Sequence, residues 1–277
     1  MRVFTLKKIS PRILGRYISY FYVLTAEPAP FRSPLRLYMP DGNMELWINL
    51  GTPLIHVDGE KGAFQMPQAL VGGLHNGAFS LQFTGEVYLV GAFIKPGAAA
   101  VLLNDRTDPY KNTFIPGDLL FLGEIDRVTE RLRKFSNPKE MAWLLEAFLA
   151  RKFAVRKEPC YFTNIQNTLE TIDAKHGSIY LEKIHEHACM GERNFRRVFT
   201  EFVGFSPKEY SRIVRTKHVL RLLRGGMSIS DVAFELGYHD PSHLSNDFAD
   251  IAGISPSRSR EELNSLDLEY LNQPNTA

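Results

Sequence analysis

Residues 228–244 read Ser228-Ile229-Ser230-Asp231-Val232-Ala233-Phe234-Glu235-Leu236-Gly237-Tyr238-His239-Asp240-Pro241-Ser242-His243-Leu244, an order of residue types that specifies a helix, a tight turn and a second helix. Ser230 is placed to cap a helix over Asp231 to Leu236, because its hydroxyl can accept a backbone N–H that the first turn leaves unbonded. Gly237 follows and can take the positive φ that closes a helix. Asp240-Pro241 opens the next helix, an acidic cap followed by a proline whose fixed φ suits the first turn. A short helix that braces a second one suits reading of the DNA major groove, since the second helix can enter the groove.

The unit occurs twice. Phe195, Phe199, Gly204 and Ser206-Pro207 stand forty-nine residues before Leu244, Phe248, Gly253 and Ser255-Pro256. In each copy a helix carries apolar residues four apart, ends near a glycine, and is followed by Ser-Pro, which starts another helix. Between the copies, Lys208 to Arg224 forms one amphipathic helix with Tyr210, Ile213, Val214, Leu220 and Leu223 inward. That helix spans roughly 25 Å, and with the bodies of the two units added the recognition helices fall about 34 Å apart, one turn of DNA.

The stretch 228–244 and the repeat around it resemble the AraC/XylS family of regulators over about residues 160–264. The resemblance implies a sequence-specific, DNA-binding transcription regulator with base-contacting residues on the second helix of each unit. Met39-Pro40-Asp41-Gly42-Asn43-Met44-Glu45-Leu46 and Phe93-Ile94-Lys95-Pro96-Gly97-Ala98-Ala99-Ala100 are similar to the cupin-like sensory domain of a subgroup of these regulators, which implies an effector-responsive N-terminal half. The expected fold class is therefore α+β. A mostly-β cupin-like domain with a C-terminal helical hairpin occupies 1–152, a linker 153–159, an all-α double helix-turn-helix domain 160–264, and a tail 265–277.

In the first unit the recognition helix is expected from Glu192 to Phe202, with Phe195, Val198 and Phe199 toward the core. Arg193, Arg196 and Arg197 then share the outer face, because residues three and four apart are helical neighbours. Arg suits this place: its planar fork bonds guanine O6 and N7 together, or clamps a phosphate. The plainer reading of three such arginines is a solvated basic face, and their position in a recognition helix favours DNA over it. Lys208 and Arg212 extend the basic surface onto the connecting helix. In the second unit Ser242, His243 and Asn246 can hydrogen-bond base edges. Relatives usually carry basic residues where this chain has Asn246, Asp247, Ala249 and Asp250.

Charge follows the same division. Residues 177–224 carry +5 and residues 225–263 carry −5. A duplex with a phosphate charge about every 1.7 Å attracts the first unit and resists the second. The first unit and the connecting helix are thus expected to supply most of the affinity, the second contributing weakly or meeting a protein partner such as RNA polymerase. The first unit also has irregularities. Cys189 stands where a turn glycine is usual, Tyr180 where a small cap is usual, and His185 where a small Ala packs between the helices. His185 reads either as a hydrogen-bonded core histidine or as the mark of a loosened unit.

The N-terminal half reads as short strands punctuated by Pro and Gly, as in Ile18 to Leu24. Leu35 to Tyr38 and Met44 to Leu50 flank Pro40-Asp41-Gly42-Asn43, which suggests a hairpin, and a second is expected at Thr84-Gly85 after the alternating strand Phe79, Leu81, Phe83. After Lys95-Pro96-Gly97 the pattern turns helical from Ala98 onward. Ile125, Val128, Leu132 and Phe135 form one amphipathic stripe and Met141, Leu144, Leu145, Phe148 and Leu149 another, joined at Asn137-Pro138. Such a helical hairpin either covers the β-domain or makes a homodimer, since both uses need the same stripe.

Composition limits the alternatives. A chain of 277 residues with 44% hydrophobic residues has room for two domains. Its longest apolar stretch, Val87 to Ile94, fits a buried strand and falls short of a membrane span. Pro11, Arg12 and Arg16 interrupt any signal-peptide core, and the two cysteines, Cys160 and Cys189, fit a reducing cytoplasm. The net charge of +2 does not by itself suggest nucleic acid. His185-Glu186-His187 does not form a metal site, because residues two apart on a helix diverge. The run Gly72-Gly73-Leu74-His75-Asn76-Gly77 lacks a Walker lysine, there is no Gly-x-Ser-x-Gly elbow, and His56 and His75 lack the His-x-His spacing of a cupin enzyme. No cofactor and no catalytic set is expected. The readings that compete with a DNA-binding regulator are a cupin-like enzyme or ligand-binding protein with a helical scaffold, and a regulator that works through protein contacts alone. Trp47, Phe79 and Phe93 serve either as the lining of an effector site or as core.

Overall fold

The computed structural model describes residues 4–26, 36–58, 62–178 and 183–262; Leu35, Tyr180 and the tail 265–277 lie outside them. Alternation along the strands builds the N-terminal half, since successive side chains point to opposite faces of a sheet. The strands are β1 (Phe4–Ile9), β2 (Ile18–Ala26), β3 (Arg36–Tyr38), β4 (Met44–Asn49), β5 (Leu54–Asp58), β6 (Gly62–Gln65), β7 (Ala69–Gly72), β8 (Phe79–Phe83), β9 (Val87–Ile94) and β10 (Ile115–Pro116). One six-stranded sheet has the order β1-β2-β9-β4-β7-β10 and one four-stranded sheet the order β3-β8-β5-β6. All pairings described are antiparallel.

Both faces of the larger sheet are buried. Tyr20, Tyr22, Leu24, Trp47, Leu89 and Phe93 pack against Leu54, Leu81 and Phe83 of the smaller sheet. Their neighbours Phe21, Val23, Met44, Leu46, Ile48, Val90, Ala92 and Ile94 point the other way, toward helices. Gly91 lies beside the Tyr22 ring, where an added Cβ would come within 2.3 Å of ring atoms.

The two hairpins read from turn residues are corrected by the pairing. Pro40-Asp41-Gly42-Asn43 joins β3, bonded to β8 in the smaller sheet, to β4, bonded to β7 and β9 in the larger. Thr84-Gly85 likewise joins β8 to β9 across the two sheets. Turn residues fix that the chain bends, but burial of the flanking strands decides which neighbour each one takes. The alternation Phe79, Leu81, Phe83 holds nonetheless, with Leu81 and Phe83 buried.

Helices α1 (Ala98–Leu103), α2 (Gly117–Phe121), α3 (Glu124–Leu132) and α4 (Pro138–Ala154) follow, with β10 interrupting the helical run expected from Ala98. Asn137 caps α4 by accepting from Lys139 N at 2.9 Å. Ile125, Val128, Leu132, Met141, Leu145, Phe148 and Leu149 pack with the larger sheet, so the hairpin stripe covers the β-domain. Glu146, on α4, is buried and accepts the backbone N–H groups of Arg12, Ile13 and Leu14 at 2.8, 2.8 and 3.0 Å. Helix α4 runs to Ala154 and so enters the stretch expected to be linker.

The remaining helices are α5 (Phe162–Ala174), α6 (Ile184–His187), α7 (Glu192–Val203), α8 (Pro207–Arg224), α9 (Ile229–Glu235), α10 (Pro241–Ala252) and α11 (Pro256–Glu262). Ser206 and Glu209 make a reciprocal capping box on α8. Ser228 caps α9, accepting from Asp231 N at 3.1 Å; the expected cap Ser230 lies inside the helix, which starts a half-turn earlier. The first helix-turn-helix shares its core with the sheet, through Phe162, Ile165, Phe195, Phe199, Tyr210 and Ile213. The second has a core of its own around Val219, Leu223, Val232, Leu244 and Phe248, against which Leu37 and Met39 of the β-domain pack. Among the described residues no helix is long and apolar enough to cross a membrane.

Candidate nucleic-acid interface

Helix α7 buries Phe195, Val198, Phe199 and Val203 and leaves Arg193, Arg196 and Arg197 exposed, the arrangement read from the sequence. Arg196 NH2 meets Glu192 Oε1 at 2.7 Å, and Arg197 bonds Glu201 Oε2 and Asn194 Oδ1 at 2.7 and 2.9 Å. Pairs of this exposed i,i+4 kind are worth only about 0.3–0.5 kcal/mol. A phosphate or guanine can therefore take over the guanidinium groups. Lys208, at the start of α8, is also exposed.

Helix α10 is opened by Asp240, whose carboxylate accepts from His243 N at 2.8 Å. Leu244, Phe248, Ile251 and Ala252 turn inward, while Ser242, His243 and Asn246 are exposed near the helix start. The far ends of both recognition helices are tied to the β-domain. Thr107 donates its backbone N–H and hydroxyl to Glu201 O at 2.7 and 3.0 Å, and Ala78 N donates to Ile251 O at 2.9 Å. The N-terminal turns, which a helix-turn-helix presents to base edges, stay open.

Arg212, expected among the DNA-contacting residues, is engaged by acids of the second unit. Its Nε meets Asp247 Oδ1 at 2.6 Å and its NH2 meets Asp250 Oδ2 at 3.1 Å. Tyr238 donates its hydroxyl to the other oxygen of Asp247 at 2.9 Å. Arg215 lies 5.2 Å from the Tyr238 ring centre and donates to Gly177 O at 3.0 Å. The Asp247 side chain is only 11% exposed, against 69% for Asp250. Burial and the neighbouring Asp247 charge raise the Tyr238 pKa, so the phenol stays a donor. Two of the acids counted against the second unit thus serve as struts between α8 and α10. Sequence reasoning missed this because Arg212 and Asp247 are 35 positions apart and no local pattern joins them.

The irregular residues of the first unit resolve in part. Cys189 sits at φ 52°, in the left-handed region that favours glycine. Cys189→Gly is therefore expected to stabilise the fold by about 1 kcal/mol, read as a higher urea midpoint with an unchanged slope. His185 is half-buried and its Nδ1 lies 3.0 Å from Met190 O, which supports the hydrogen-bonded reading. Among the described residues no group of three or more His, Cys, Asp or Glu is placed to hold a metal.

Two family models match the chain: a helix-turn-helix domain over residues 184–262 and a domain of unknown function, DUF6597, over residues 8–116. An uncharacterized HTH-type transcriptional regulator of Haemophilus influenzae is 31% identical over 85 residues, 30% of this chain and 28% of that protein. The match thus spans less than a third of the relative's length. A solved structure of ToxT from Vibrio cholerae aligns with 88% of this chain and 99% of its own at 10% identity, with a TM-score of 0.47. The AraC-like transcriptional activator CuxR aligns with 83% and 84%, at 12% identity and a TM-score of 0.32. The helix-turn-helix match falls on both units described above, with their caps, closing glycines and connecting helix, and it supports the resemblance of this region to the AraC-type regulators.

Proposed function

We propose that the protein is a sequence-specific, DNA-binding transcription regulator whose β-domain senses a small-molecule effector. One observation carries this reading: both recognition helices leave their N-terminal turns open while their C-terminal ends are bonded to the same β-domain. Double-stranded DNA is the partner, read through Arg193, Arg196 and Arg197 with Lys208, and less strongly through Ser242, His243 and Asn246. The protein works in the cytoplasm and has no enzymatic step. Selection of bound fragments from a random DNA pool, followed by titration at several salt concentrations, tests it. Arg197→Ala is expected to cost roughly 1–3 kcal/mol of specific binding and Asn246→Ala less. The reverse order would move the reading to the second unit, and no salt-dependent binding at all would favour a regulator acting by protein contacts. Tightly held transition metal without DNA affinity would favour a cupin-like enzyme.

A second contact is supported by Phe234 on α9, which is 88% exposed between the acids Asp231 and Glu235. A bare aromatic ring flanked along its helix by two acids suits a protein partner, and RNA polymerase is the one a regulator meets at a promoter. A homodimer is compatible with the fold, although the helical hairpin uses its stripe on the sheet.

A further inference from the structure

Between the two sheets lies a chamber of about 50 Å³ whose walls include Tyr38, Trp47, Phe79 and Phe93, with Asp41 and Glu45 at its polar side. The position of Glu45 follows from alternation: Met44 and Leu46 face the helices, so Glu45 shares with Trp47 the face that the smaller sheet covers. Glu45 is 7% exposed, and the donors its carboxyl faces are the Tyr22 hydroxyl and the Trp47 indole, neither of which reaches Oε1 in good hydrogen-bond geometry. A buried carboxyl held only by imperfect donors is costly, and a further partner would stabilise it. The residues lining the chamber include no Lys, Arg or His. Tyr38 and Phe79 stack at 5.4 Å and Tyr38 lies 6.0 Å from Trp47, so several ring faces border the same small space.

We propose that this chamber receives the ammonium head of a small organic cation, with Glu45 as its counter-ion and Tyr38, Trp47, Phe79 and Phe93 as its walls. Aromatic faces attract a desolvated cation through their quadrupoles, and a buried carboxylate supplies the charge. An anion would meet two carboxyl groups, and the cation nearest them, Lys217, sits on the other side of Asp41 in the adjoining cavity. A neutral apolar group would leave Glu45 with only the strained approach of Tyr22 and Trp47. The volume is several times the roughly 10–15 Å³ that one water needs, enough for a head group of a few heavy atoms. Burial, with Asp41 nearby, raises the Glu45 carboxyl to about 8, and a cation beside it would restore its charge. The inference rests on the β-domain being the sensing half.

The test uses the full chain without DNA, so its failure leaves DNA binding untouched and a failure of DNA binding leaves it untouched. The chain has two tryptophans. Trp143 is 42% exposed beside Arg12, so Trp143→Phe leaves Trp47 as the single reporter. This variant is titrated with methylammonium and tetramethylammonium chloride, with tert-butanol as the neutral isostere of the latter and sodium chloride at matched ionic strength. A saturable change in Trp47 emission with at least one ammonium salt, and none with tert-butanol or sodium chloride, is the expected result. Glu45→Gln on the same background is expected to weaken that response at least tenfold while the protein still unfolds cooperatively. No saturable ammonium response, an equal response to tert-butanol, or full binding by the folded Gln variant would overturn the assignment. The comparison of ammonium with its isostere needs no substitution at Glu45, so it stands even if that variant fails to fold.

Discussion

Glu45→Gln is expected to be more stable than the parent by on the order of 4 kcal/mol at pH 8, and equal to it near pH 4. Burial raises the folded carboxyl from its ordinary 4.5 to about 8, so between those values the folded state holds a proton that the unfolded chain has released. Its contribution is complete below about 4.5 and is lost as pH rises toward 8, at roughly 1.4 kcal/mol per unit. Three histidines act with the opposite sign at lower pH. Burial holds His75 and His218 at about 4, and His176 is also lowered. Their contribution is complete above 6.5 and fades as pH falls. The parent should therefore be most stable near pH 6.5 and lose about 2 kcal/mol by pH 8, a fall that the Gln variant lacks. Thermal unfolding across that range checks it, and the difference at pH 8 should approach 10 °C. A pH-independent gap between the two proteins would show that Glu45 is solvated in the fold.

Asp247→Ala separates two accounts of the acidic second unit. If its charge only repels phosphate, removing it strengthens DNA binding. The structure gives the opposite expectation, because Asp247 joins Arg212 to Tyr238 at 2.6 and 2.9 Å. Its loss leaves a buried hydroxyl and a half-buried guanidinium without that acceptor, at a cost of about 2–3 kcal/mol, and loosens α10 on α8. Stability and DNA affinity should both fall. Asp250→Ala is the control: its carboxylate is largely exposed, so stability should hardly change and DNA affinity should rise slightly. Urea unfolding and a DNA titration on the two variants decide it, and equal behaviour would return the acids to simple repulsion.

What was legible in the sequence is what neighbours in the chain determine. The caps at Asn137, Ser206 and Asp240, the closing glycines Gly204 and Gly253, and the inward faces of α7, α8 and α10 are all set within a turn or two of helix. The strand Phe79 to Phe83 was readable for the same reason. Strand partners were not, since Asp41-Gly42 and Thr84-Gly85 bend the chain whichever sheet comes next. Charge pairing was out of reach likewise: a sum over residues 225–263 cannot show that Arg212, outside that window, holds Asp247. The chamber around Glu45 was hidden in a familiar pattern. Alternation in Met44-Glu45-Leu46-Trp47-Ile48 reads as a strand with one wet face, and only the arrival of the smaller sheet makes both faces dry.

The bonds from Thr107 to Glu201 and from Ala78 to Ile251 tie the β-domain to the recognition helices of both units. A linker helix alone would fix the separation of those heads once and for all. With the β-domain as a second brace, the separation also depends on where Ala78 and Thr107 are held. Successive base pairs are only about a tenth of a helical turn apart. A displacement of a few ångströms between Ala78 and Thr107 would therefore change which half-site spacing the two units fit.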